Sequence, residues 1–232
     1  MSKRQSQGYQ KKLKWLKARF AEGMKIKMLK LPERGFIEYL PGEYAWRAVK
    51  ANGYMFIHCL WVVGKSKGKG YAALLLNECI KEAEKSGMQG VAVITSEGNW
   101  LAGKKCFLKQ GFESVEQAPP SFELMVKKFS DAPSPCFTNG WDKKLSQFGG
   151  GLTIIRSDQC PYIEDAAKIL LETAAELGIK SQVVELHNCQ EAQNLVPSAF
   201  GVFSVIYAGN LISYHYLTKN EFLKRLDKLR KQ

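Results

Sequence analysis

Apolar residues recur along this chain with two periods, and the switches between them outline the elements. From Gly8 to Phe20, Leu13, Leu16 and Phe20 fall at helical spacing among lysines, which predicts an amphipathic helix. Two strand-like runs follow, Met24–Lys30 and Gly35–Leu40, punctuated by Pro32 and Gly35. Tyr54–Val63 is a nearly continuous apolar run bounded by glycines, the pattern of a strand buried on both faces. Tyr71–Ser86 puts Leu74, Leu75, Cys79 and Ala83 on one side and lysines and glutamates on the other, so a helix stopped at Gly87 is expected. Val91–Thr95 then reads as a strand, Leu101–Lys109 as a short helix ended by Gly111, and Phe112–Val115 and Phe122–Val126 as two more strands.

Residues 129–150 break the pattern with two prolines, three glycines and no sustained period, as a connector does. Its aromatics Phe129, Phe137, Trp141 and Phe148 suit a segment packed over a surface more than a free linker. Beyond it the periods return. Leu152–Ile155 and Val183–Leu186 read as strands, Ile163–Leu177 as a helix, and Phe203–Tyr216 as a hairpin turning at Ala208-Gly209-Asn210. A last helix opens with Thr218 and Glu221 at capping-box spacing. The expected organisation is a first α/β domain over 1–128, a connector over 129–150 and a small α/β sandwich over 151–232.

Composition narrows the class. The chain has 232 residues, of which 45% are apolar and 24% charged, the makeup of a globular protein. No apolar run approaches the roughly 20 residues of a membrane span, and the polar start enters no signal-peptide core, so a cytoplasmic location without membrane contact is expected. Six cysteines without a CxxC pair and three histidines without ligand spacing point to reduced thiols and no metal site. The formal charge of +12 is uneven: Lys and Arg exceed Asp and Glu by 23 to 11 in residues 1–128 and match them 11 to 11 thereafter. A basic first domain attracts polyanions, among them nucleic acid, anionic lipid and a phosphorylated cofactor.

One loop chooses among these. Lys65-Ser66-Lys67-Gly68-Lys69-Gly70 leaves the buried strand and opens directly into the helix at Tyr71. Glycines allow close backbone approach, the N–H groups of the first helical turn have no intrahelical partner, and three lysines add positive charge. Such a loop suits a pyrophosphate. It matches neither the Walker spacing nor GxGxxG.

What it resembles is the pyrophosphate loop of the GNAT superfamily of N-acetyltransferases, Arg/Gln-x-x-Gly-x-Gly/Ala, with Lys65 in the basic position and Gly68 and Gly70 as the glycines. Asn99 and the later Gln110-Gly111-Phe112 stand at similar distances in that family. Phe36-Ile-Glu-Tyr, Ala45-Trp46, Cys59-Leu-Trp-Val and Lys67-Gly-Lys-Gly-Tyr, with Cys160-Pro161-Tyr162 in the second domain, look like its YoaP-like branch. The resemblance implies a GNAT acyl-CoA acyltransferase fold with a mixed, mostly antiparallel sheet, the family's first strand and helix missing or shortened, followed by a small thioredoxin-like domain.

It also implies acetyl transfer from acetyl-CoA directly to an amine of a small molecule or peptide. Leu60, Trp61 and Val62 would offer backbone groups to the pantetheine arm, residues 65–70 (Lys65, Ser66, Lys67, Gly68, Lys69, Gly70) would hold the pyrophosphate, and Asn99 and Lys104 would lie near the far end of the cofactor. The family's usual leaving-group acid is a Tyr where this chain has Phe107. A non-catalytic acyl-CoA sensor is therefore the alternative. Glu38, Glu43 and His58, on or near strands flanking the expected acceptor cleft, are base candidates. Cys160, at a helix start but without the second cysteine of a CPYC motif, is a candidate one-cysteine thiol; docking is the other role open to its domain. Acetyl-CoA and an amine are the expected partners. Nucleic-acid binding through Lys11–Arg19 rests on charge and Trp15 alone, and a homodimer stays open.

Overall fold

In a computed structural model of the chain, residues 5–97 and 100–231 are described. Contacts divide the chain into two compact units, one of Arg19–Thr138 and one that joins Met1–Ala18 to Asn139–Gln232. Asn99, one of the expected cofactor residues, lies outside the described residues.

The first unit is built on a six-stranded mixed sheet. Its strands are β1 (Lys25–Met28), β2 (Gly35–Pro41), β4 (Tyr54–Val62), β5 (Gly90–Ser96), β6 (Glu113–Ala118) and β7 (Phe122–Lys128), in the order β1-β2-β4-β5-β7-β6. All neighbours are antiparallel except β4 and β5, which the helix α2 (Tyr71–Lys85) joins as a parallel crossover. Leu75, Leu76, Cys79, Ile80 and Ala83 of α2 are buried against Ile37, Tyr39, Met55, Ile57, Val91, Val93 and Met125, the alternate positions of four strands. Periodicity of 3.6 on the helix and 2.0 on the strands thus converges on one apolar layer. The short helix α3 (Lys105–Leu108) closes that layer with Phe107, edge-on to Phe112 at 5.5 Å.

A two-residue strand β3 (Val49–Lys50) pairs with β8 (Cys136–Phe137), and Thr138 donates its N–H to Ala48 O at 2.8 Å. Part of the expected connector therefore belongs to the first unit. The expected helix over Leu101–Lys109 is reduced to α3, since Leu101–Gly103 take no helical turn.

In the other unit, β9 (Leu152–Arg156), β10 (Ser181–Glu185), β11 (Phe203–Tyr207) and β12 (Asn210–Ser213) form a sheet in the order β10-β9-β11-β12, with β9 and β10 parallel and the remaining pairs antiparallel. Helix α5 (Tyr162–Glu176) links β9 to β10, and α7 (Lys219–Arg230) ends the chain behind the capping box of Thr218 and Glu221. Two short helices, α4 (Trp141–Leu145) and α6 (Cys189–Asn194), carry no period long enough to foresee.

Helix α1 (Gln7–Phe20) gives its first twelve residues to this unit. Lys11 pairs with Glu164 of α5 at 2.7 Å, and Gly8 lies so close to the chain that a Cβ there would stand 2.0 Å from the Pro161 carbonyl oxygen. Where the sequence reading ran the first domain from residue 1, the contacts place these residues with the C-terminal segment.

Candidate functional site

Strands β4 and β5 are paired only over Tyr54–Ile57 and Gly90–Val93. Beyond that point β4 continues to Val62 along β2, and β5 continues to Ser96 along β7. The two strands part, and no ladder joins 58–62 to 94–96. Facing backbone edges of this kind need hydrogen-bond partners from elsewhere, and a ligand inserted between them can supply these.

The parting coincides with a bulge. Glu38 pairs with Cys59 but Tyr39 pairs with Ile57, so His58 is the extra residue of β4. Burial follows the same break, complete from Tyr54 to His58 and partial from Cys59 to Val62, which corrects the expectation of a strand buried along its whole length. Cross-strand register brings Glu38, His58 and Cys59 together at the bulge.

Hydrogen bonds to His58 hold this turn of the chain. The Trp46 N–H donates to His58 Nε2 at 3.0 Å, and the Arg47 guanidinium donates to the His58 carbonyl at 3.1 Å. A backbone N–H can only donate, so Nε2 is the unprotonated nitrogen and the ring is the neutral Nδ1–H tautomer. Trp46 and Arg47, both almost wholly buried, carried no sequence signal for this role, because it depends on a loop folding back onto β4. Glu38 is buried, at 4% exposure, although its neighbours Ile37 and Tyr39 both point into the apolar layer against α2. Glu43 accepts from the Gly53 N–H at 2.8 Å, at the end of β4 away from the parting.

The glycine-lysine loop leaves β4 through a 3-10 turn, Gly64–Ser66, and enters α2 with Gly70 at the N-cap. Gly64, Gly68 and Gly70 have φ of 61°, 77° and 79°, the left-handed region glycine favours, and a Cβ on any of them would meet nothing within 4 Å. The helix starts with no side-chain cap, and Leu74 N–H makes the first bond back, to Gly70 O. The donors of the first turn are thus left to solvent or to an anion. Lys65, Lys67 and Lys69 are exposed around them, whereas Ser66 is buried. Its hydroxyl accepts from Arg34 N–H at 2.9 Å and donates to Glu33 at 2.5 Å, and Lys69 reaches the same carboxylate at 3.1 Å.

The remaining expected residues are more scattered. Lys104 forms an ion pair with Glu123 at 2.6 Å, and that hydrogen bond raises the lysine above its usual range and lowers the carboxylate. Phe107 is fully buried. Cys106 beside it is half-buried, and burial pushes its thiol up, which makes it a weaker nucleophile. Cys160, in the other unit, is partly exposed just before α5, with Pro161 at the N-cap. Among the described residues there is no group of three His, Cys, Asp or Glu side chains that could hold a metal ion, and no helix is long and apolar enough to cross a membrane.

The chain has relatives in sequence over most of its length. The model of the acetyltransferase (GNAT) family matches residues 34–112, from Arg34 through the loop to Phe112, and a YoaP-like family model matches residues 182–224. Over 221 residues, the chain is 35% identical to the uncharacterized N-acetyltransferase YoaP of Bacillus subtilis (strain 168), which covers 94% of this chain and 87% of that protein. Similar solved structures include a ribosomal-protein-alanine N-acetyltransferase from Brucella melitensis, with 20% identity, a TM-score of 0.42 and coverage of 52% of this chain and 78% of that one. Another is a GNAT family acetyltransferase from Brucella melitensis in complex with acetyl-CoA, at 16% identity, a TM-score of 0.38 and coverage of 56% and 77%.

Proposed function

The chain belongs to the GNAT acetyltransferases, in the form that carries a YoaP-like C-terminal region, and from that premise we propose how its residues divide the work of acetyl transfer from acetyl-CoA to an amine. The observation that carries the reading is the parting of β4 from β5 directly before the glycine-lysine loop. The pantetheine arm lies along the freed edge of Leu60, Trp61 and Val62, as an added strand would. The pyrophosphate then meets the N–H groups of the loop and of the first turn of α2, with Lys65 and Lys67 beside it. Lys104 stands toward the far end of the cofactor.

In the transfer the amine lone pair attacks the thioester carbon, the C–S bond breaks, the sulfur leaves as thiolate and the amine gives up a proton. A backbone N–H in the parting polarises the carbonyl. No tyrosine hydroxyl occupies the Phe107 position, so the thiolate leaves without that acid. Glu38, buried at the bulge, is the base we favour. His58 already accepts Trp46 N–H at Nε2 and cannot take a proton there without losing that bond, so its role is to hold the bulge. The acceptor is an amine of a small molecule or peptide.

For the C-terminal unit we propose a thioredoxin-like fold, supported by the β9-α5-β10 crossover followed by the antiparallel β11–β12 pair and α7. Docking is its role, since Cys160 has Ile163 where a dithiol site would have a second cysteine. The protein acts in the cytoplasm. The test is release of CoA thiol from acetyl-CoA across a panel of small and peptide amines; saturable acetyl-CoA binding with no turnover on any amine would refute transfer.

A further inference from the structure

The loop between Leu29 and Gly35 supplies a carboxylate that the catalytic reading leaves unused. Glu33 accepts from Ser66 Oγ at 2.5 Å through one oxygen and from Lys69 Nζ at 3.1 Å through the other. Together these bonds lower the Glu33 carboxyl below its ordinary value, Ser66 contributing most, with a smaller effect of Tyr71, the first residue of α2. Next to it, Arg34 N–H donates to the same Ser66 hydroxyl at 2.9 Å, and Val63 N–H bonds to Arg34 O at 3.1 Å. Two neighbouring residues of one loop therefore grip the other loop at Val63, Ser66 and Lys69. The glycines between these points have open space around them and no side chain of their own to fix their conformation.

We propose that Glu33 is a positioning residue for acetyl-CoA: it holds the glycine-lysine loop in the binding conformation before the pyrophosphate arrives. The inference rests on the reading of that loop as the pyrophosphate site. Charge alone predicts the opposite sign, because a carboxylate beside an anion site repels the anion and its removal should tighten binding. Preorganisation predicts weaker binding, because the freed loop must then be ordered at the moment of binding. The two effects can be separated by substitution. Glu33→Ala removes both charge and bonds, whereas Glu33→Gln removes the charge and keeps an acceptor for Ser66.

The experiment is titration calorimetry of acetyl-CoA into the full-length chain and its Glu33→Ala, Glu33→Gln, Ser66→Ala and Glu33→Ala/Ser66→Ala variants, with circular dichroism on each. Glu33→Ala is expected to weaken binding about tenfold, which is the ordering of one or two side chains. Glu33→Gln should recover most of that loss. Ser66→Ala should weaken binding in the same direction, and the double variant should lose less than the two single losses combined, because both act through one contact. At saturating acetyl-CoA the turnover number of Glu33→Ala should be unchanged, with the loss confined to KM. Equal or tighter binding by a folded Glu33→Ala overturns the proposal, as does a Glu33→Gln variant as weak as Glu33→Ala. If the unmodified chain fails to bind acetyl-CoA, the pyrophosphate-site reading itself falls and the proposal with it.

Discussion

Whether His58 is a bolt or a base can be decided by two substitutions. The imidazole is 3% exposed, sits edge-on to Phe56 at 5.5 Å, and accepts the buried Trp46 N–H. His58→Ala strands that N–H, which costs about 1–3 kcal/mol, and leaves the space of the ring unfilled. A total loss of roughly 2–4 kcal/mol follows, large against a typical stability of about 5–15 kcal/mol. His58→Gln can present its side-chain carbonyl to the same N–H but cannot act as a base near neutral pH. The assay is hydrogen exchange at the Trp46 amide together with CoA thiol release at saturating substrates. Protection of Trp46 should be lost in His58→Ala and largely kept in His58→Gln, with turnover of the glutamine variant within a few-fold of the parent. A His58→Gln protein that keeps Trp46 protected but loses on the order of 10²–10⁴-fold in turnover would show that His58 is the base and refute the bolt.

Three further outcomes follow from the packing. Phe107→Tyr adds a hydroxyl to a fully buried ring packed on Phe112, so we expect a loss of about 1–3 kcal/mol in chemical denaturation and no gain in turnover; a clear rise in turnover would mean that the hydroxyl reaches the leaving sulfur. Gly8→Ala should favour an isolated helix by up to about 1 kcal/mol, yet its Cβ would stand 2.0 Å from the Pro161 oxygen, so α1 should loosen and the emission of buried Trp15 shift to the red; an unchanged spectrum would contradict this seating of α1. Lys144 is buried with its amine on Gln193 O at 2.8 Å, and burial pulls it down from 10.5 to about 8. Because the unfolded chain holds that proton more tightly, the penalty is full below about pH 8 and is relieved as pH rises toward 10.5. It is at most about 3 kcal/mol at neutral pH. Lys144→Met should thus be the more stable protein at pH 7 by about 1–3 kcal/mol, with the gap narrowing by pH 10; a gap independent of pH would refute it.

The chain's own pattern reaches far because much of it is local. Helical spacing from Tyr71 to Ser86, the apolar run at Tyr54–Val62 and the Thr218–Glu221 cap are each set by residues within a few turns of one another, so periodicity and capping chemistry read them directly. The glycine-lysine loop is legible for the same reason. Its glycines, its lysines and the helix it opens are contiguous, and a helix start is an anion site wherever it occurs. Family resemblance starts from that contiguous stretch and extends to short motifs on either side of it, Phe36-Ile-Glu-Tyr and Gln110-Gly111-Phe112 among them. The two-residue strands β3 and β8, held by one long-range pairing, leave no local trace.

What surrounds the loop was decided only in three dimensions. The parting of β4 and β5 depends on where each strand exchanges one neighbour for another, and the bulge at His58 is a fact of register, which no single strand carries in its own sequence. Glu38 lies between two core-facing residues, Ile37 and Tyr39, yet is itself buried, and the register sets it beside Cys59 at the bulge. Ser66 stands among loop residues expected to face the cofactor, yet its hydroxyl turns inward to a carboxylate 33 residues earlier. Helix α1 is amphipathic by sequence, but an amphipathic face does not say which partner it will meet. An ion pair and a backbone contact at α5 give it to the C-terminal unit. Local sequence determines which element forms and what chemistry it can offer, whereas the direction each side chain faces is set by contacts between residues distant along the chain.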